Sequence, residues 1–342
     1  MRKVREICGK TGLILAGGGL RGIFHVWVAE ILSRSGITFD YIAGASIGAL
    51  VGEKLAEAQN PEELPFCLEE IKFIFFERID KIGAKYVFPF SAWPCLKHFY
   101  KYGSFLPNDT LLRLVANVKP EKLLNSPTQF DFTVFNNDTK RHEIFSNRDP
   151  LFRTHPELIA PADASSAAIM PIFLPIKIGN YHYSDGGSIT GLISRAIAFG
   201  CKTIFVAFPY PKVYFEPQLK SNFFGKFPGL NRFFANYAAN LRMLDELELR
   251  VAEDHNKETR LRAQNAILED VKGGAIGRFK AHISMLRQKN EVLVVPFYAN
   301  PPETLSLAEL QTSGKNYHGD FEESRRRTEQ WLPKLVEKIL KQ

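Results

Sequence analysis

Twice before residue 60 the chain does the same thing: a short apolar run breaks on glycine and resumes with apolar residues at helical spacing. The first run is Thr11–Ala16, followed by Gly17-Gly18-Gly19-Leu20-Arg21-Gly22 and then by Ile23, Phe24, Trp27, Val28, Ile31 and Leu32. Gly36 stands where that helix would stop. The second run is Phe39–Ala43, followed by Gly44-Ala45-Ser46-Ile47-Gly48 and then by Leu50, Val51, Leu55 and Ala58. Strand, helix, strand, helix in immediate succession predicts parallel strands joined by crossover helices, because parallel neighbours cannot be closed by a tight turn. With 342 residues, 45% of them hydrophobic, the chain can bury a large core, and no repeat, linker or low-complexity tract divides it. One α/β domain is expected.

Beyond residue 60 the pattern is less regular. Residues 61–126 carry apolar clusters at 71–76 and 86–102 and read as an insertion or cap. Phe130–Asn136 and Arg141–Ser146 around Asn137-Asp138-Thr139-Lys140 predict one hairpin, and Pro175–Ile178 and Tyr181–Ser184 around Gly179-Asn180 another. Later strands are expected at Thr203–Phe208 and Val292–Tyr298, with long helices near Asn240–Val271 and Glu322–Leu340.

Three short constellations could carry chemistry. The glycine run Gly17–Gly22 lies between a strand and a helix N-terminus, where backbone N–H groups unobstructed by Cβ atoms can face negative charge. It also satisfies G-x-G-x-x-G with Asp40 at a distance suited to a ribose, so an oxyanion loop, a dinucleotide site and a tight structural turn all fit. Gly44-Ala45-Ser46-Ile47-Gly48 matches G-x-S-x-G in the strand-to-helix context of a nucleophile elbow, or a small-residue turn that happens to contain serine. Tyr183-Ser184-Asp185-Gly186-Gly187 ends a hairpin strand and fits either a turn or a carboxylate base that reaches a serine hydroxyl directly.

In this order and context the three motifs resemble the patatin-like phospholipase family, as does Ala164-Ser165-Ser166-Ala167-Ala168 followed by Pro171, Phe173 and Pro175. The resemblance covers roughly residues 10–200. It implies a three-layer α/β/α sandwich with a mostly parallel central sheet, in which residues 201–342 complete the same domain. It implies Ser46 as nucleophile, Asp185 as general base, and the N–H groups of Gly18, Gly19 and Leu20 as the oxyanion hole. Gly17, Arg21, Gly22, Gly44, Gly48, Gly186 and Gly187 then support the loops, with Arg21 either holding the glycine loop or meeting a phosphate. Such a dyad needs neither metal nor organic cofactor. Two positions depart from the family pattern: Ala16 stands where an acidic residue is frequent, and Ser188-Ile189-Thr190-Gly191 replaces the frequent asparagine-proline after the aspartate. A serine–histidine–acid triad would need His182, His255, His282 or His318, none of which lies in a distinctive loop motif.

The implied activity is cleavage of fatty acyl esters of phospholipids or neutral glycerolipids. A non-catalytic lipid- or partner-binding member and a nucleotide-binding oxidoreductase are the rivals. Lys and Arg exceed Asp and Glu by 44 to 37, a net +7 that favours anionic partners. Together with the resemblance this points to an acyl lipid on a membrane surface and not to nucleic acid, with a protein activator left open. The 28 phenylalanines concentrate with Lys and Arg in Phe73–Phe105 and Phe208–Tyr237, which suits contact at headgroup level as well as an aromatic core. No apolar run reaches the roughly 18 residues a membrane span needs, and the basic N-terminus lacks a signal-peptide core. Cys8, Cys67, Cys95 and Cys201 are too dispersed for a zinc site or disulfide framework, so reduced thiols and a cytoplasmic, peripherally membrane-bound protein are expected; export without a cleavable signal is also compatible.

Overall fold

The computed structural model describes residues 9–82, 86–87, 89, 91–212, 239–251, 253–258, 291–299 and 317–341. The two strand-to-helix units form as expected: β1 (Thr11–Leu15) leads into α1 (Ile23–Arg34), and β2 (Tyr41–Gly44) into α2 (Ile47–Ala56). The hairpins come next as β3 (Gln129–Asn136) with β4 (Arg141–Ser146), and β5 (Ile176–Ile178) with β6 (Tyr181–Asp185). The strands β7 (Thr203–Phe208) and β8 (Leu293–Tyr298) complete one eight-stranded sheet. Its order is β5-β6-β3-β2-β1-β7-β8, with β4 on β3. Neighbours from β3 through β2, β1 and β7 to β8 are parallel, while β4, β5 and β6 pair antiparallel.

Both faces of the central strands are buried, which is why β1 and β7 read as unbroken apolar runs without alternation. Leu13, Leu15, Phe205 and Ala207 face a large core shared with α1 and α2. Ile14, Val206 and Phe208, pointing the other way, pack against Leu192, Ile193 and Ala196 of a further helix. Two cores on opposite faces of one sheet make the three-layer α/β/α sandwich.

The segment 61–126 is more regular than its sequence suggests. It contains α3 (Leu64–Phe73), prolonged by a π-helical stretch Ile74–Asp80, then α4 (Ala92–Tyr102), α5 (Asp109–Leu114) and α6 (Pro120–Leu124). The remaining helices are α7 (Pro150–Thr154), α8 (Ile159–Ser166), α9 (Leu192–Phe199) and α10 (His318–Leu340). Helix also runs through 239–251 and 253–258; the rest of the long helix expected up to Val271 lies outside the described residues. Cys67, Cys95 and Cys201 are free and buried, whereas Cys8 lies outside the described residues.

Candidate active site

Ser46 stands between Ala45, at the end of β2, and the first residue of α2, and it adopts φ 54°, ψ −126°, a region that side-chain-bearing residues rarely enter. Such backbone persists only when its surroundings over-determine it. Here the packing on either side does so. A Cβ at Gly44 would lie 2.3 Å from the Gly48 carbonyl carbon, and one at Gly48 only 2.1 Å from the Leu15 carbonyl oxygen. The turn is therefore wedged against the end of β1. The Ser46 N–H donates to Ser166 Oγ at 3.0 Å, and that hydroxyl donates onward to the Thr133 carbonyl at 2.7 Å.

Thr133 explains why Asp185 is near. β4 covers one edge of β3, so β2 and β6 must share the other, with β2 paired along 129–132 and β6 along 134–136. They run toward each other: Gly44 sits opposite Phe132 and Asp185 opposite Val134. Only Thr133 separates the two strand ends, and the Ser46 turn and the Asp185 carboxylate converge there. The Ser46 hydroxyl is thereby brought close enough to the Asp185 carboxyl to lower its proton affinity. Asp185 is held further by its own N–H on the Ala168 carbonyl (3.1 Å) and by the Gly187 N–H on Oδ1 (2.5 Å). Burial pushes its carboxyl up to about 7, against the opposing pull of the Ser46 hydroxyl and the Gly187 N–H. A Cβ at Gly186 would strike the Thr133 backbone at 2.4 Å, so the paired glycines do permit close approach. His142 Nε2 donates to the Gly186 carbonyl at 2.8 Å.

The glycine run closes the third side. Gly19–Gly22 forms a 3-10 turn that runs directly into α1, with Gly19 at φ 59°. A Cβ at Gly18 would meet Pro209 at 2.4 Å, and one at Gly22 would meet Ile47 at 2.3 Å; one at Gly17 would sit 3.4 Å from Ser46 Cβ and 3.1 Å from the Gly187 carbonyl. All three motifs thus touch. Arg21 Nε donates to the Gly18 carbonyl at 3.3 Å, which holds the loop. His25, fully buried on α1, has its pKa lowered by burial to about 4, so the neutral ring donates from Nε2 to the Ala16 carbonyl at 2.8 Å. Ala16 therefore presents its backbone, not an acidic side chain, to this support.

Ser46, Gly19 and Leu20 line a cavity of about 90 Å³ whose other walls are mostly apolar, among them Leu50, Ile71, Phe75, Leu111, Val115 and Ile169. Glu53, Lys54 and Asn117 add its few polar walls. The N-terminal end of α2 thus shares a pocket with the serine, which favours negative charge developing there.

The dinucleotide alternative does not fit this geometry. Asp40 accepts the Thr11 N–H at 2.9 Å, at the beginning of β1, whereas the glycine run lies beyond its end. Of the rival histidines, His182 meets Asp138 and His318 meets Asp80, while His282 lies outside the described residues. His255 sits in the helical stretch 253–258. Thr133, His142 and His25 escape a sequence reading, as does Asp245, while Ser166 shows there only within the small-residue run 164–168. Asp245 accepts the Ile189 N–H at 2.8 Å and the Tyr210 hydroxyl at 2.7 Å, and so supports the unusual Ser188–Gly191 stretch from the helix at 239–251.

Residues 13–196 match the family model described as patatin-like phospholipase. A stretch of 52 residues is 50% identical to lysophospholipase NTE1 of Coccidioides immitis and 48% identical to lysophospholipase nte1 of Neurospora crassa. That stretch is 15% of this chain and 3% of either relative. Among solved structures, VipD from Legionella pneumophila is similar over 93% of this chain and 67% of its own, at 14% identity and a TM-score of 0.34. A chain of the SpcU–ExoU complex from Pseudomonas aeruginosa covers 69% of this chain and 52% of its own, at 15% identity and a TM-score of 0.26.

Proposed function

Since the chain belongs to the patatin-like phospholipase family, we propose that it hydrolyses fatty acyl esters of lipids through an acyl-enzyme on Ser46, with Asp185 as the general base. The observation that carries this reading is the convergence across Thr133 of the Ser46 turn and the buried Asp185 carboxyl, whose proton affinity burial raises to about 7. Ser46 Oγ attacks the ester carbonyl carbon while its proton passes to Asp185. The oxyanion is taken up by the N–H groups of Gly18, Gly19 and Leu20. Collapse breaks the ester bond, and the departing alcohol takes the proton from Asp185. Water, deprotonated by the same carboxylate, then releases the fatty acid and restores Ser46. The apolar walls beyond Ser46 suit the acyl chain. No helix among the described residues is long and apolar enough to cross a membrane.

Four measurements test the reading together. A fluorophosphonate should label Ser46 alone, and Ser46→Ala should abolish ester hydrolysis in a folded protein. Asp185→Asn keeps the shape but takes no proton, so losses of about 10²-fold or more are expected. In the wild type, kcat/KM on a soluble ester should climb with pH through about 7, because only the deprotonated carboxyl can accept the serine proton. A near-normal Asp185→Asn beside a dead single-histidine variant would make the enzyme a triad instead.

A further inference from the structure

Helix α4 is turned inside out relative to the rest of the fold. Of its eleven residues Cys95 is buried, while Trp93 is 76% exposed, Tyr100 94% and Leu96 52%, with Phe99 and Tyr102 also exposed. Trp93, Leu96 and Tyr100 repeat at i, i+3 and i+7, so they form one stripe, and Phe99 widens it. The charged residues of the helix are Lys97 and Lys101, one turn apart, and it has no acidic residue. A helix this short that buries so little is marginal by itself. Its C-terminal end is pinned instead. The chain reverses at Gly103 in the left-handed region, His98 bonds the Ser104 carbonyl at 2.7 Å, and Phe99 stacks on Phe105 at 4.7 Å. Phe105 and Leu106 then donate to the carbonyls of Pro171 and Ile172 at 2.9 and 2.8 Å.

Those attachments tie the helix to the lipid pocket. Val87, upstream of α4, lines the cavity, and so does Ile169, just before the segment to which the helix end is bonded. Met170, between Ile169 and Pro171, is itself exposed. We propose that α4 is the docking element for an anionic lipid surface: Trp93, Leu96, Phe99 and Tyr100 enter the headgroup region while Lys97 and Lys101 meet the phosphates. Aromatic residues with polar tips beside lysines are the chemistry of that interface, and the absence of acidic residues on the helix leaves the attraction unopposed on this element. The proposal rests on the reading of Ser46 as a lipid hydrolase for its purpose, though not for its physics.

Full-length protein is sedimented with vesicles of phosphatidylcholine and phosphatidylserine, and with phosphatidylcholine alone. Trp93→Gln with Tyr100→Gln should lower partitioning by at least about 10-fold while leaving soluble-ester turnover and fluorophosphonate labelling of Ser46 unchanged. Lys97→Gln with Lys101→Gln should weaken binding to the anionic vesicles, increasingly so at low salt, and leave the neutral ones alone. The chain has three tryptophans, of which Trp27 is buried and Trp331 partly so, so a blue shift of emission on vesicle addition should vanish in Trp93→Phe. The proposal fails if the wild type does not bind, if the double variants bind normally, if soluble-ester turnover falls in parallel, or if sizing shows the stripe covered by a second copy. Loss of vesicle binding in a protein whose Ser46 resists labelling would leave α4 as a docking element and refute the hydrolase instead.

Discussion

Ser166 has no chemistry of its own, yet its one hydroxyl joins β3, at the Thr133 carbonyl, to the backbone of the proposed nucleophile. Replacing it with alanine leaves the Ser46 N–H and the Thr133 carbonyl without a partner, both in the dry interior, which costs about 1–3 kcal/mol. Because Ser46 keeps its φ of 54° only through such contacts, Ser166→Ala should lower both stability and kcat while changing KM little. Urea unfolding and soluble-ester kinetics on one preparation check both. Ser46 and Asp185 are legible in the sequence because motif spacing marks them, whereas Ser166 is visible only as part of a small-residue run. Thr133 carries no signal at all, since an unremarkable strand residue becomes a pivot only once register is known.

Between elements, the contact of α2 with α8 is made partly by two carboxyls, Glu53 and Asp163, both fully buried. Burial, and for Glu53 its acidic neighbour too, raises both proton affinities, Asp163 to about 7. A group whose folded pKa exceeds its unfolded value of about 3.9 gives stability that is complete below that value and is lost as pH climbs through the folded one. The contribution of Asp163 should therefore be lost between about pH 4 and 7. Asp163→Asn removes one titration and supplies a donor, so its Tm should exceed the wild type's at pH 8 by at least about 2 °C, with the advantage shrinking toward pH 4. Melts across that range decide it. Neither carboxylate announces itself in the sequence, where Glu53 reads as an ordinary helix-surface charge. The cap region reads as irregular for a related reason: α4 exposes its aromatics, which inverts the amphipathic pattern, and α3 runs on into a π-helical stretch.

For the whole molecule, the fold class is readable from the alternation of strands and helices, but the strand order is not, because one partner of β1 follows it closely while the other, β7, comes nearly 190 residues later. β7 lies beside β1 and β8 beyond it, although both come after the family-matched residues. The last helix packs on the first: Arg325 lies over the Trp27 ring at 5.7 Å, and Phe321 meets Phe75 and Phe76 edge-on at 5.5 Å. Truncation after residue 200 would strip the β1 edge and uncover α1, so the fragment should fail to give a cooperative melt or a monomeric elution profile. Of the aromatic-basic segment Phe208–Tyr237, residues 213–237 lie outside the described residues, whereas Phe208 and Tyr210 at its start are core. The head-on meeting of β2 and β6 along β3 has one further consequence. Their separation is counted in residues, like marks on a ruler, so an exchange of side chains along β3 leaves the gap as it is, whereas one extra residue at 133 would part Ser46 from Asp185 by about 3.3 Å and turn the subsequent side chains to the opposite face.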